Sequence, residues 1–162
     1  IRYPRWFKPG SDNNDMISNV DVAPTILDLA GLEIPISMQG RSFKGNLTGQ
    51  TPHDWPDAVY YHYWQHLLHR DVAAHYGIRT KEKKLIFYYG LPLGQTDYPP
   101  TESEWEMFDL ANDPHEMNNV YSDPAYAKKV AELKARLKAF QERVEDTDEA
   151  YPELQAVNAA YW

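Results

Sequence analysis

Residues 74–90, AHYGIRTKEKKLIFYYG, decide the fold. Tyr76, Ile78 and Thr80 alternate with Gly77 and Arg79, and Leu85, Ile86, Phe87, Tyr88 and Tyr89 follow as an apolar and aromatic run. Both patterns favour extended backbone, and the polar break Lys81-Glu82-Lys83-Lys84 turns one strand back on the other, so the stretch predicts a β-hairpin. In a chain of net charge −8 this hairpin carries four cations, with His75 at its mouth. It is therefore the first place to look for an anion contact.

Working outward, residues 57–65 (DAVYYHYWQ) form another strand, with Val59, Tyr61 and Tyr63 on one face and Tyr60, His62 and Trp64 on the other. Residues 105–110 (WEMFDL) give a fourth strand, which Asn112-Asp113-Pro114 ends in a turn. The clearest helix comes last: Asp123 caps it, Pro124 stands at its first position, and Tyr126, Val130, Leu133, Leu137, Phe140 and Val144 make one apolar stripe. It runs into Glu145-Asp146-Thr147-Asp148-Glu149, acids at a helix C-terminus where the dipole disfavours them. The tail to Trp162 must fold back on something to be ordered. The expected class is α+β: a four-stranded antiparallel sheet packed against a long C-terminal helix.

Ahead of the sheet, Val22, Ile26, Leu29 and Ala30 recur at helical spacing, with Asp21 at the N-cap, Pro24 within the first turn and Gly31 as the stop. Asp28 falls on the polar side and reads as a solvated carboxylate. Residues 32–49 read as a surface loop, in which Asn46-Leu47-Thr48 matches a glycosylation sequon of low specificity. This strand–helix piece cannot close its own core and leaves Val22, Ile26 and Leu29 without a partner. Thr51-Pro52-His53-Asp54-Trp55-Pro56 marks a boundary, which divides the chain into residues 1–52 and 53–162.

The 162 residues are 43% hydrophobic and 25% charged, enough for a real core. The net negative charge argues against nucleic acid or an anionic membrane as global partner, and no apolar run approaches a bilayer span. With no cysteine, disulfides and thiolate chemistry are excluded from this stretch. The abrupt start at Ile1-Arg2-Tyr3-Pro4 reads as the middle of a strand, hence a piece of a longer protein.

Among groups that could carry chemistry, His62, His66, His69 and His75 cluster in sequence, yet no HExxH or close HxH pair is present, so a metal site is not expected. His66 and His69 read as solvated loop residues, and Lys81, Lys83 and Lys84 as the coat of a solvated turn. His75 shares a face with Gly77 and Arg79. The glycine leaves room for close approach, and a guanidinium there could clamp a sulfate, phosphate or carboxylate. Taken alone, Arg79 reads rather as the partner of one of the many acids. The serines lack a nearby base or a nucleophile elbow, and there is no phosphate-binding glycine loop. The residues offer a binding face without a catalytic engine.

Three stretches together resemble the sulfatase family: residues 18–31 (SNVDVAPTILDLAG) followed by residues 38–43 (MQGRSF), the hairpin itself, and residues 105–119 (WEMFDLANDPHEMNN) before the final helix. They cover nearly the whole chain in the family's order, and the His-Tyr-Gly-Ile-Arg-Thr run is similar to that of bacterial sulfatases acting on sulfated glycans. The resemblance implies a large alkaline-phosphatase-like α/β domain, whose end would be residues 1–52, followed by a C-terminal subdomain, residues 53–162. It implies Ca²⁺ and a formylglycine in the full-length enzyme, a sulfated carbohydrate substrate, and a periplasmic or extracellular location. The Cys/Ser-x-Pro/Ala-x-Arg motif that yields formylglycine is absent here, so the chain is expected to be inactive alone and to need the missing N-terminal catalytic domain as its partner. By the same resemblance His75 is the foremost substrate contact, with Arg79 and Trp64 beside it. A free-standing glycan- or anion-binding module and a purely structural cap are the alternatives.

Overall fold

The computed structural model describes residues 1–4 and 6–162. The chain divides into two compact units, Ile1–Val59 and Tyr60–Trp162. The first is built on α1 (Val22–Leu29), entered through a short 3₁₀ turn. Three polar residues one helical turn apart stitch the downstream loop to this helix. Asp21 accepts the backbone N–H groups of Ser18 and Arg41, each at 2.8 Å, and the Thr25 hydroxyl accepts that of Phe43 at 3.0 Å. Asp28 accepts the Ser42 hydroxyl at 2.6 Å and the Lys44 ammonium at 2.8 Å. Asp28 is thus not the free solvated carboxylate that its polar position suggests; Lys44 and then Ser42 hold its carboxyl below the ordinary range. Gly40 is obligatory in this seam, because a Cβ there would lie 2.0 Å from the Val20 carbonyl oxygen.

The loop contains a one-turn helix, α2 (Lys44–Leu47), which closes the sequon to modification. Asn46 is buried and its amide donates to Asp15 at 2.9 Å. Along α1, Val22 and Ile26 stay exposed, as their lack of a partner in the sequence suggests.

The sheet runs β1 (Ala58–Tyr63), β2 (His75–Thr80), β3 (Lys83–Tyr88), β4 (Glu104–Asp109), in that spatial order and antiparallel. The hairpin turn is only Lys81-Glu82, because Thr80 accepts the Lys83 N–H at 2.9 Å and draws Lys83 and Lys84 into β3. One face of the sheet carries Tyr76, Ile78, Leu85, Phe87, Tyr89 and Met107, all fully buried. Helix α3 (Ala127–Arg143) packs on β2 and β3 and buries Val130, Leu133 and Leu137 of the expected stripe. Asp123 caps this segment by accepting the Ala125 N–H at 2.9 Å.

The two strand-following acids and amides of residues 105–119 are structural. Asp109 accepts Lys83 at 2.8 Å and Tyr126 and Asn112 at 2.9 Å, so its buried carboxylate is saturated with donors and held far below its ordinary pKa, by Lys83 above all. Lys84 pairs with Glu116 at 2.6 Å. Lys83 and Lys84 are therefore part-buried ion-pair partners and not a solvated coat. Asn119 binds the Met107 N–H and the Trp105 carbonyl, which satisfies the free edge of β4. The tail folds back as α4 (Pro152–Tyr161): Leu154 is fully buried, and Asn158 accepts from Tyr76 at 3.0 Å.

Candidate functional site

His75 opens β2 opposite Tyr88 of β3. Its Nδ1 lies 2.8 Å from the Ala73 carbonyl oxygen. Its ring is boxed by Tyr88, Tyr63 and Tyr61, with centroids 4.9, 5.4 and 5.9 Å away. Burial among these rings is the main force lowering the pKa of His75; the Ala73 contact opposes it, and the charges of His62 and Lys84 add to it. Burial likewise raises Tyr88, to about 12, with Glu106 contributing, so the phenol beside the imidazole is neutral.

Gly77 follows on the same face. A Cβ there would stand 2.6 Å from both the Tyr61 hydroxyl and the Leu85 carbonyl oxygen. The space that the glycine provides is occupied by the Tyr61 ring, so it serves packing and not a ligand. Arg79 comes two residues later, exposed, opposite Lys84, and without an ion pair among the described residues. Four residues along a strand separate His75 from Arg79 by roughly 13 Å. A ligand that spans this backbone separation has about the length of two sugar rings.

Trp64 goes elsewhere. Its indole stacks on His62, with centroids 3.7 Å apart and planes 22° apart, and leans on Tyr151 at 5.2 Å. With His62, Tyr63, Gln65, Gln95 and Tyr151 it lines an open cleft of about 500 Å³. Tyr63 connects the two places, since it lines this cleft and packs against His75.

Beneath Trp64 is a network that the sequence does not announce. His62 meets Asp146 through Nδ1 at 2.8 Å and Tyr89 through Nε2 at 3.0 Å, and Tyr60 donates to the same Asp146 oxygen at 2.5 Å. Burial pushes the Asp146 carboxyl up, but the hydrogen bonds from His62 and Tyr60 outweigh it and leave it below its ordinary value. With both ring nitrogens engaged, His62 is a fixed wall of the cleft. His66, read as solvated, is fully buried: Nδ1 accepts the Ala74 N–H at 3.1 Å and Nε2 faces the Pro99 carbonyl at 2.9 Å. It fixes the connection that delivers the chain into β2. His69 is exposed.

Among the described residues no three histidine, aspartate or glutamate side chains converge as a metal site would require. The carboxylates of Asp21, Asp28, Asp109 and Asp146 are already engaged by donors. The residues present do not fit the Ca²⁺ and formylglycine that the resemblance implies for a full-length enzyme.

The chain is 44% identical over 150 residues to an N-acetylglucosamine-6-O-sulfatase of Bacteroides thetaiotaomicron, covering 91% of this chain and 25% of the relative. An ulvan-active sulfatase of Formosa agariphila is 30% identical over 147 residues, covering 77% of this chain and 28% of that protein. A solved structure of a protein in complex with its substrate D-glucosamine-2-N,6-O-disulfate superimposes with a TM-score of 0.80 at 42% identity, covering 93% of this chain and 29% of that one. The chain thus spans little more than a quarter of the length of these relatives. Residues 1–143 match the family model described as N-sulphoglucosamine sulphohydrolase, C-terminal, and the chain belongs to that family of sulfatases.

Proposed function

We propose that this chain is the C-terminal part of a glycan sulfatase, a sulfuric ester hydrolase, and that it closes and helps to line the substrate pocket without contributing the nucleophile. The observation that carries this reading is the 44% identity, along 91% of the chain, to an N-acetylglucosamine-6-O-sulfatase. The substrate class that follows is a 6-O-sulfated amino sugar or an oligosaccharide ending in one. Residues 1–52 then belong to the end of the α/β catalytic domain and residues 53–162 to the C-terminal subdomain, with the N-terminal part of the catalytic domain as the covalent partner. The calcium and formylglycine of the family would act in that part, and a periplasmic or extracellular location goes with the substrate.

In this reading His75 touches the sugar, because its ring is held rigidly by three tyrosines and by Ala73 while Nε2 has no protein partner among the described residues. Arg79 reaches a neighbouring sugar of the same chain. Trp64 acts from the cleft beside Tyr63. The test is sulfate release from 6-O-sulfated N-acetylglucosamine by the full-length protein and by its His75→Ala variant. The expected outcome is a loss of tenfold or more in kcat/KM. No turnover of any sulfated sugar by the matured wild type would overturn the sulfatase reading, and an unchanged kcat/KM in the variant would remove His75 from the pocket.

A further inference from the structure

The chemistry of the His75 contact is set by an atom on the opposite side of the ring. The Ala73 carbonyl oxygen, 2.8 Å from Nδ1, has no proton to give, so the proton between them belongs to Nδ1. In a neutral imidazole the other nitrogen, Nε2, then carries a lone pair and no hydrogen. We infer that His75 accepts a hydrogen bond, at Nε2, from a free hydroxyl of the bound sugar, and that it thereby selects against a substrate whose hydroxyl at that position is itself sulfated. The inference rests on the placement of His75 in the substrate pocket and gives that contact a direction. It also reverses the first expectation from the sequence, an anion held at the mouth of a cationic hairpin.

The surroundings keep the ring in this form. Tyr61 and Tyr63 pack against it from β1, and Tyr88 from β3. Lys84 of β3 and His62 of β1 act against protonation, and Arg79 is a further cation on the same strand. Glu104 and Glu106 of β4 stand beyond Tyr88 and act on its phenol. Burial among the rings works in the same direction as the cations. A sulfate oxygen brought to Nε2 would meet a lone pair and find no donor, whereas a hydroxyl brings the proton the contact needs.

The test uses the full-length protein and a panel of 6-O-sulfated N-acetylglucosamine derivatives in which each free hydroxyl in turn is replaced by fluorine. Fluorine is similar in size to a hydroxyl but donates no hydrogen bond. One fluoro compound is expected to lose tenfold or more in kcat/KM with the wild type, and that penalty is expected to vanish in His75→Ala. Discrimination against a second sulfate at the same position is expected to weaken as pH falls through the lowered pKa of His75, since the imidazolium gains a donor at Nε2. If His75→Ala lowers kcat/KM but no fluoro penalty depends on His75, the acceptor role is wrong while the placement stands. If the doubly sulfated sugar is preferred, and more so in acid, His75 is an anion contact and the inference fails. If His75→Ala changes nothing, the placement fails and this inference with it.

Discussion

Asp146 Oδ2 lies 2.8 Å from His62 Nδ1, although the two residues are 84 positions apart. The contact explains why an acidic run can follow the C-terminus of α3. Glu145 adopts a left-handed backbone, with φ 58°, and the Asp146 N–H returns to the Gln141 carbonyl at 3.0 Å. This reversal turns the Asp146 carboxylate away from the helix dipole and onto His62 and Tyr60.

Replacing Asp146 by alanine leaves the His62 imidazole and the Tyr60 hydroxyl, both part-buried, without their shared acceptor. The expected cost is about 1–3 kcal/mol of stability. Urea unfolding of wild type and variant measures it. Because His62 also stacks on Trp64, tryptophan emission is expected to shift in the folded variant. A stability within error of wild type would show that water substitutes for the carboxylate.

The Lys83–Asp109 pair answers to acid. The carboxyl of Asp109 is held far below its unfolded value, so its contribution is complete above about pH 4, where the unfolded carboxylate is also ionised. It is lost progressively as pH falls below that value toward the folded pKa. Asp109→Asn is expected to cost about 3–5 kcal/mol at neutral pH, since it strands a part-buried ammonium. The difference between wild type and variant should narrow steadily in acid titrations of unfolding. A difference independent of pH from 7 to 2 would assign the cost to packing instead.

Gly77→Ala tests the crowding between the two central strands. The new methyl would stand 2.6 Å from the Tyr61 hydroxyl and from a backbone oxygen of β3 that cannot move alone. The ring must swing away, at an expected cost of about 1–3 kcal/mol. Because Tyr61 also packs on His75, KM in the full-length enzyme is expected to rise. In a Tyr61→Ala background the same alanine is expected to cost much less than in the wild type; if it costs as much, the clash with the Leu85 carbonyl dominates.

How much was legible in the sequence follows from the range of the forces involved. Alternation in residues 76–80 and 85–89, the Asp123-Pro124 start and the stripe through Val130, Leu133 and Leu137 are local patterns, and each specifies its element. The position of a charge relative to residues far along the chain is not local. Asp28, Lys83 and Lys84 read as solvated because nothing within a few positions indicates Ser42 and Lys44, Asp109 or Glu116. His66 looked like a loop histidine for the same reason: its partners are two backbone groups brought near by the fold. The shared face of His75, Gly77 and Arg79 follows from their alternation, but sequence alone could not show that Tyr61 fills the space over Gly77. Nor could it show that Trp64 turns toward Tyr151 and away from His75. The acid run after α3 was the one signal of the His62 network, and it read as an unfavourable feature because its partner belongs to β1.

The Lys134 ammonium sits over the rings of Trp105, Tyr121 and Trp162, at 4.1, 5.3 and 5.7 Å, and lies within reach of the Tyr161 and Trp162 carbonyls. Tyr121 lies parallel to Trp105, with planes 7° apart, while Trp162 stands nearly perpendicular to it at 84°. Fixed chromophores in such orientations couple their electronic transitions, so the docked tail carries its own optical signature. Near-ultraviolet circular dichroism can therefore follow the tail leaving the sheet separately from the melting of the strands beneath it.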